Sequence, residues 1–221
     1  FYRPDQTIVA VVGDVTAETL RQAIASRLKA WETGSRENST ATVRFLQKPR
    51  TVTVDRDIAQ AHIRIGHGGI ARNNDDFHAV TVMNHILGGG GFASRLVQRI
   101  RVEEGLAYSV SSRFAARRYP GSFQVVLQTR NASARRAMEI VLAEMKRIRT
   151  APVGATELET AKQYLIGSFP LQLASQSGLA DFLCRAAFYG LGLDYPAQHP
   201  RLIQAVQAED VQRAARTYLH P

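Results

Sequence analysis

Strand-like and helix-like segments run in blocks along this chain, and that order constrains its fold more than any other feature. Residues 7–12, 51–54, 61–65, 108–114 and 122–129 carry apolar or alternating patterns of strand length. From Ala132 onward every periodic segment is helical. Strict alternation of strand and helix would build a parallel, doubly wound sheet. Blocks instead predict an α+β fold, with a largely antiparallel sheet packed against helices.

The helices have recognisable ends. Thr16 is placed to cap one that reaches about Trp31, with Leu20, Ile24, Leu28 and Trp31 on one face. A second opens at Asn74 or Asp75, carries Phe77, Val80, Met83, His85 and Leu87, and stops at the run Gly88, Gly89, Gly90, Gly91. A third covers residues 94–103, with Gly105 as its left-handed cap. The remainder is read as helices over 133–149, 156–176 with a kink at Pro170, 179–189, 200–206 and 209–218. Thr156 and Glu159 have capping-box spacing. Residues 33–42 read as a polar loop, and Tyr119-Pro120-Gly121 as the turn between two strands.

Composition narrows the function classes. A length of 221 residues suffices for one large domain or two small ones. No apolar run approaches the roughly 18 residues that span a bilayer, so no membrane span is expected. Cys184 is the sole cysteine, which excludes an internal disulfide and a cysteine-based zinc knuckle. The net charge is +9, carried mostly by arginines scattered along the chain. With no aromatic-basic motif and no helix-turn-helix signature, nucleic acid is not an expected partner. The chain opens at Phe1 and runs almost at once into a strand pattern. A processed or excised piece is therefore expected, with any targeting segment out of view and a periplasmic or cytoplasmic location both open.

Several chemistries fail on context. Gly88, Gly90 and Ala93 have dinucleotide-binding spacing, but a helix precedes them where that fingerprint needs a strand. The six histidines form no zinc-peptidase motif. His62 and His67 face opposite sides of a strand, and no carboxylate completes a set with His78 and His85. No metal site is expected in this chain. Ser109, Ser111 and Ser112 lie on a strand rather than a nucleophile elbow. Glu103 and Glu104 are adjacent on a helix and read as a solvated turn.

Arg101 and Tyr108 remain. Taken singly, Arg101 is a charge on the polar side of a helix, and Tyr108 an inward strand residue beside Val110. Taken together, they flank the reversal at Gly105, which brings the last helical turn close to the first strand residues. A guanidinium fork suited to carbonyls and a phenol able to donate to an oxyanion then converge on one pocket.

The run from Ile86 through the four glycines to Leu96, followed by Arg101-Val102-Glu103-Glu104-Gly105-Leu106-Ala107-Tyr108, resembles the pitrilysin/insulinase family of zinc peptidases. More narrowly, it is similar to the carboxy-terminal, non-catalytic domain. The opening Tyr2-Arg3-Pro4 with residues 8–15 supports the likeness, which spans essentially the whole chain. The resemblance implies one peptidase-like non-catalytic sandwich domain over 1–221. It implies no cofactor in this chain and zinc on a partner domain or subunit bearing His-x-x-Glu-His. It also implies a peptide substrate, with Arg101 positioning its backbone and Tyr108 stabilising the tetrahedral intermediate in trans. Gly88, Gly89, Gly90 and Gly91 correspond to a loop that contacts substrate in processing-peptidase relatives, where it is longer. The alternative is a catalytically dead pseudo-peptidase that serves as a structural or assembly subunit.

Overall fold

The computed structural model describes residues 3–31, 43–46 and 48–221. The loop expected over 33–42 and Tyr2 lie outside the described residues. The chain gathers into two compact units, one of Phe1–Thr42 with Gly167–Gln198, the other of Val43–Ile166 with His199–Pro221.

The second unit holds the sheet. Strands β1 (Gln60–Gly68), β2 (Val110–Phe114) and β3 (Ser122–Arg130) form an antiparallel sheet in the order β1-β3-β2. Its register sets Gln60 opposite Arg130, Arg64 opposite Val126, and Val126 in turn opposite Ser111. Period-two alternation sorts the side chains. Phe123, Val125, Leu127 and Thr129 of β3 are buried, with Val110 and Ser112 of β2 and Ile63 of β1. The opposite face is mainly polar, with half-buried Val126 at its centre and the Phe45 ring against Gly68 at one end.

Helices cover the apolar face. α2 (Phe77–Asn84) and α4 (Ala134–Thr150) both pack on α8 (Ala208–Tyr218), and α4 also meets β3. In α4 the buried residues Ala137, Ile140, Val141, Glu144, Met145 and Ile148 follow the spacing of one helical stripe. Glu144 is the single acid on that stripe. It lies 3.4 Å from Arg147 and 3.7 Å from Arg99. Between α2 and β2, α3 (Arg95–Val97) buries Leu96 and Val97. Arg95 anchors it to α5 (Ala155–Ser168) through two 2.7 Å hydrogen bonds donated to Glu157.

The first unit contains α1 (Ala17–Arg27), α6 (Gln176–Tyr189) and the start of α7 (Tyr195–Gln204). Thr16 caps α1, accepting from the Thr19 N–H, and Ser175 caps α6 in the same way from Gly178. A small apolar cluster joins Phe182, Ala186 and Tyr195.

The α+β reading holds, and some element boundaries differ from expectation. Residues 7–12 and 51–54 form no strand, and Val9, Val52 and Val54 are exposed. The expected helix over 156–176 ends at Ser168. Pro170 opens a separate 3-10 turn, Pro170–Leu173, because it has no N–H to continue the helix. α5 begins at Ala155, so Thr156 is already helical and is not its cap. Pro200 lies inside α7, whose first turn holds Pro196.

Candidate active-site half: Arg101, Tyr108 and Phe92

The glycine run does not simply end a helix. α2 widens into a π turn, His85–Gly89, and a 3-10 turn, Gly91–Ala93, follows. Gly88 is buried where this turn presses on β2. A Cβ there would stand 2.7 Å from Ser112 Oγ and 2.8 Å from Leu96 Cδ1. Asn84 secures the same contact, accepting from Ser112 Oγ at 2.8 Å and donating to the Ser112 carbonyl. Gly90 is half-buried, whereas Gly89 and Gly91 are exposed. The run thus carries Phe92 out of the core, and Phe92 is 63% exposed.

After α3 the chain widens again into a π turn, Gln98–Glu103, held in the core by Ile100. Gly105 then adopts φ +60° and reverses the direction. The Leu106 N–H donates back to the Ile100 carbonyl at 2.8 Å, and Thr129 Oγ1 donates to the Leu106 carbonyl at 2.7 Å. These bonds tie the strand entry to the helical turn, and so bring two distant side chains together.

The guanidinium carbon of Arg101 lies over the Tyr108 ring, 4.4 Å from its centroid, and over the Phe92 ring at 4.6 Å. Neighbouring carboxylates are engaged elsewhere: Glu103 pairs with Arg99, and Glu104 with Arg136. Among the described residues, Arg101 has no carboxylate partner and its N–H donors have no acceptor. The Tyr108 hydroxyl likewise has no hydrogen-bond partner, and the residue is 82% exposed. Tyr108 is therefore not the inward strand residue that alternation from Val110 suggested. The bend at Gly105 breaks that alternation before β2 begins.

Beside Tyr108 lies a depression of about 220 Å³, lined on one side by residues 105–109 and on the other by Gln60, Gln128, Thr129 and Arg130. A larger cavity of about 380 Å³ between Lys146, Arg149, Thr150 and Arg216 includes none of these residues. Phe92 escaped sequence reasoning as a partner of Arg101. The only available signal was a large aromatic directly after four glycines.

The histidines do not form a ligand set. His67 stacks on Phe123 at 4.8 Å; its Nδ1 bonds the Gly68 carbonyl, and its Nε2 accepts from the His220 N–H. His85 packs against Tyr164. His78 and His199 have ring centres 6.4 Å apart, and burial first, then the charges of Arg72 and His199, push His78 down to about 4. Among the described residues, no three His, Cys, Asp or Glu side chains group so as to hold a metal ion. Nor is any described helix long and apolar enough to cross a membrane.

Residues 1–165 match the family described as the peptidase M16 inactive domain. Fold and match together define the chain as an inactive-domain member of the zinc-protease-like proteins. It belongs to the peptidase M16 inactive-domain family. A zinc protease of Mycobacterium tuberculosis, named as uncharacterized, is 32% identical over 230 residues, covering 99% of this chain and 50% of its own length. A protein of Helicobacter pylori named a non-peptidase homolog is 32% identical over 130 residues, or 59% of this chain and 30% of its own. The crystal structure of a peptidase M16 inactive domain from Pseudomonas fluorescens matches with a TM-score of 0.74 at 28% identity. It covers 95% of this chain and 50% of that one. The chain thus spans about half the length of the curated relatives it matches over nearly its whole extent. The resemblance read from the glycine and Arg-Tyr motifs is borne out.

Proposed function

We propose that this chain supplies the metal-free half of a zinc metalloendopeptidase active site. The other half, a domain or subunit bearing His-x-x-Glu-His, holds the zinc that activates water and polarises the scissile carbonyl. The observation that carries this reading is the pair of unsatisfied donors, Arg101 and Tyr108, held against each other at 4.4 Å.

Stacking engages the face of a guanidinium and leaves its N–H edge for other work. That edge is a rigid fork suited to a peptide carbonyl or carboxylate. Arg101 thus holds substrate backbone, and the two rings limit how far its head can swing. The Tyr108 phenol donates to the oxygen that gains charge as the carbonyl becomes tetrahedral. Exposed to water, such a donor contributes little. Enclosed against a second domain, it acts in a drier site and counts for far more. Gly91 and the exposed edge of the glycine run lie next to Phe92 and border the bound peptide.

Mixing the purified chain with its catalytic half tests this directly. Peptide turnover should need both parts, and neither should cleave alone. A chain that hydrolyses peptides unaided, or a catalytic half that is fully active without it, contradicts the reading. A second reading is favoured by one observation, the Helicobacter pylori relative named a non-peptidase homolog. On that reading the chain is a pseudo-peptidase that builds an assembly. A stable complex with a partner that retains the zinc motif and yet turns over no peptide would support it.

A further inference from the structure

The three strands contain no aspartate or glutamate. On the face turned away from the core stand three exposed arginines, Arg64, Arg113 and Arg130, set among Gln60, Gln124 and Gln128. Gln124 Oε1 accepts from Arg64 at 3.3 Å, and Gln124 itself is paired in register with Arg113. Among the described residues, none of the three arginines has a carboxylate partner. Elsewhere in the same unit several arginines are paired with carboxylates, as Arg95, Arg99, Arg136 and Arg213 are. The sheet face is thus a patch of one sign. It raises the local concentration of anions and offers planar forks that match carboxylates.

Its position gives the patch a purpose. Arg130, Gln60 and Gln128 also line the depression beside Tyr108. From Arg130 the face runs along β3 past Val126, the level of Arg64, to Gln124, the level of Arg113. At about 3.3 Å per residue that is roughly 13 Å to Arg64 and 20 Å to Arg113, the span of four to six extended residues. We propose that this face receives an acidic stretch of the peptide substrate, with Arg130 nearest the scissile bond and Arg64 and Arg113 farther along. The proposal rests on the reading of Arg101 and Tyr108 given above. A nucleic acid fits less well, because the strands carry no Phe, Tyr or Trp on this face. Among the described residues, Phe45 against Gly68 at one end and Tyr108 at the other leave the arginine stretch between them without a ring to stack a base.

The test uses three peptides that share one neutral cleavable core and carry flanks of Asp/Glu, Ser/Gln or Lys. The assembled peptidase is compared with one carrying R64Q, R113Q and R130Q together, and with the corresponding triple Lys variant. The expected ratio of kcat/KM, acidic over neutral flank, is about tenfold in favour of acid at low salt, shrinking as salt screens it. The Gln variant should bring the ratio to about one, and the Lys variant should keep most of it. A parental ratio near one, or a preference that survives in the Gln variant, overturns the proposal. In parallel, the same peptides carrying a fluorescent label are titrated into the chain by anisotropy. Arginine-dependent binding of the acidic peptide without any cleavage would retire the catalytic reading and keep the face. Equal binding of acidic and neutral peptides, or displacement of the acidic peptide by RNA at far lower concentration than by unlabelled acidic peptide, would retire the face.

Discussion

The guanidinium of Arg101 rests on the ring of Tyr108, 4.4 Å from its centroid, although seven positions and a reversal of the chain separate them. The contact is modest in energy. A cation over an exposed ring is worth about 0.5–1 kcal/mol. Its consequence is orientation, because a long side chain that would otherwise sample many rotamers is confined beside a phenol.

Phe92 forms the second ring under Arg101, and its loss should be felt in binding before stability. For F92A we expect KM to rise severalfold with a smaller change in kcat, since one of two rings confining the guanidinium is gone. An exposed side chain contributes little to the core, so unfolding free energy should shift by about 0.5 kcal/mol or less. Steady-state kinetics of the assembled enzyme with a urea melt checks both. An unchanged KM would remove Phe92 from the site.

Two glycines near the pair should fail in different ways. In G88A the new Cβ meets Ser112 Oγ at 2.7 Å and Leu96 Cδ1 at 2.8 Å, an overpacking that costs about 1–3 kcal/mol. In G105A there is open space, but φ +60° strains any L side chain by about 1–2 kcal/mol. G105N should recover part of that loss, because asparagine tolerates the left-handed region. Urea melts of the three variants test the difference. Equal loss in G105A and G105N would argue against the backbone explanation.

Much of this architecture was readable in the residues. The β2–β3 hairpin followed from alternation on both sides of Tyr119-Pro120-Gly121, and the left-handed Gly105 from its place after a helical run. Val52 and Val54 also have a strand pattern, yet residues 51–54 join no strand among the described residues. Alternation specifies a pleat and says nothing about which edge will accept it. The π turns at His85–Gly89 and Gln98–Glu103 were not visible either, since five or six residues are too few to display a period distinct from that of an α-helix. The spacing of Arg101 and Tyr108 was evident. That Phe92 would reach the same guanidinium depended on the glycine run turning outward, a tertiary event whose one local sign was the aromatic placed directly after four glycines.

Acid should loosen the fold partly through His78. Burial, with the nearby charges of Arg72 and His199, holds its imidazole at about 4, below the ordinary 6.5. Above 6.5 the ring is neutral folded or unfolded, and its contribution is fully present. As pH falls from 6.5 toward 4 the unfolded chain takes up a proton that the folded chain does not, so stability declines. Burial lowers His67, His85 and His199 as well, and these act in the same direction. H78Q should show a shallower fall of Tm across this window than the parent. Identical slopes would assign the acid sensitivity to other groups.

The most direct measurement is kcat of the assembled peptidase carrying Y108F, on a peptide that the parent cleaves. Phenylalanine keeps the ring that Arg101 rests on and removes only the hydroxyl. Loss of one oxyanion donor costs about 3–4 kcal/mol of barrier, so kcat should drop by about 100- to 1,000-fold with KM and Tm nearly unchanged. A Y108F enzyme that turns over at the parental rate would show that the phenol never meets the developing charge, and would leave the Arg101–Tyr108 stack a surface contact without a catalytic part.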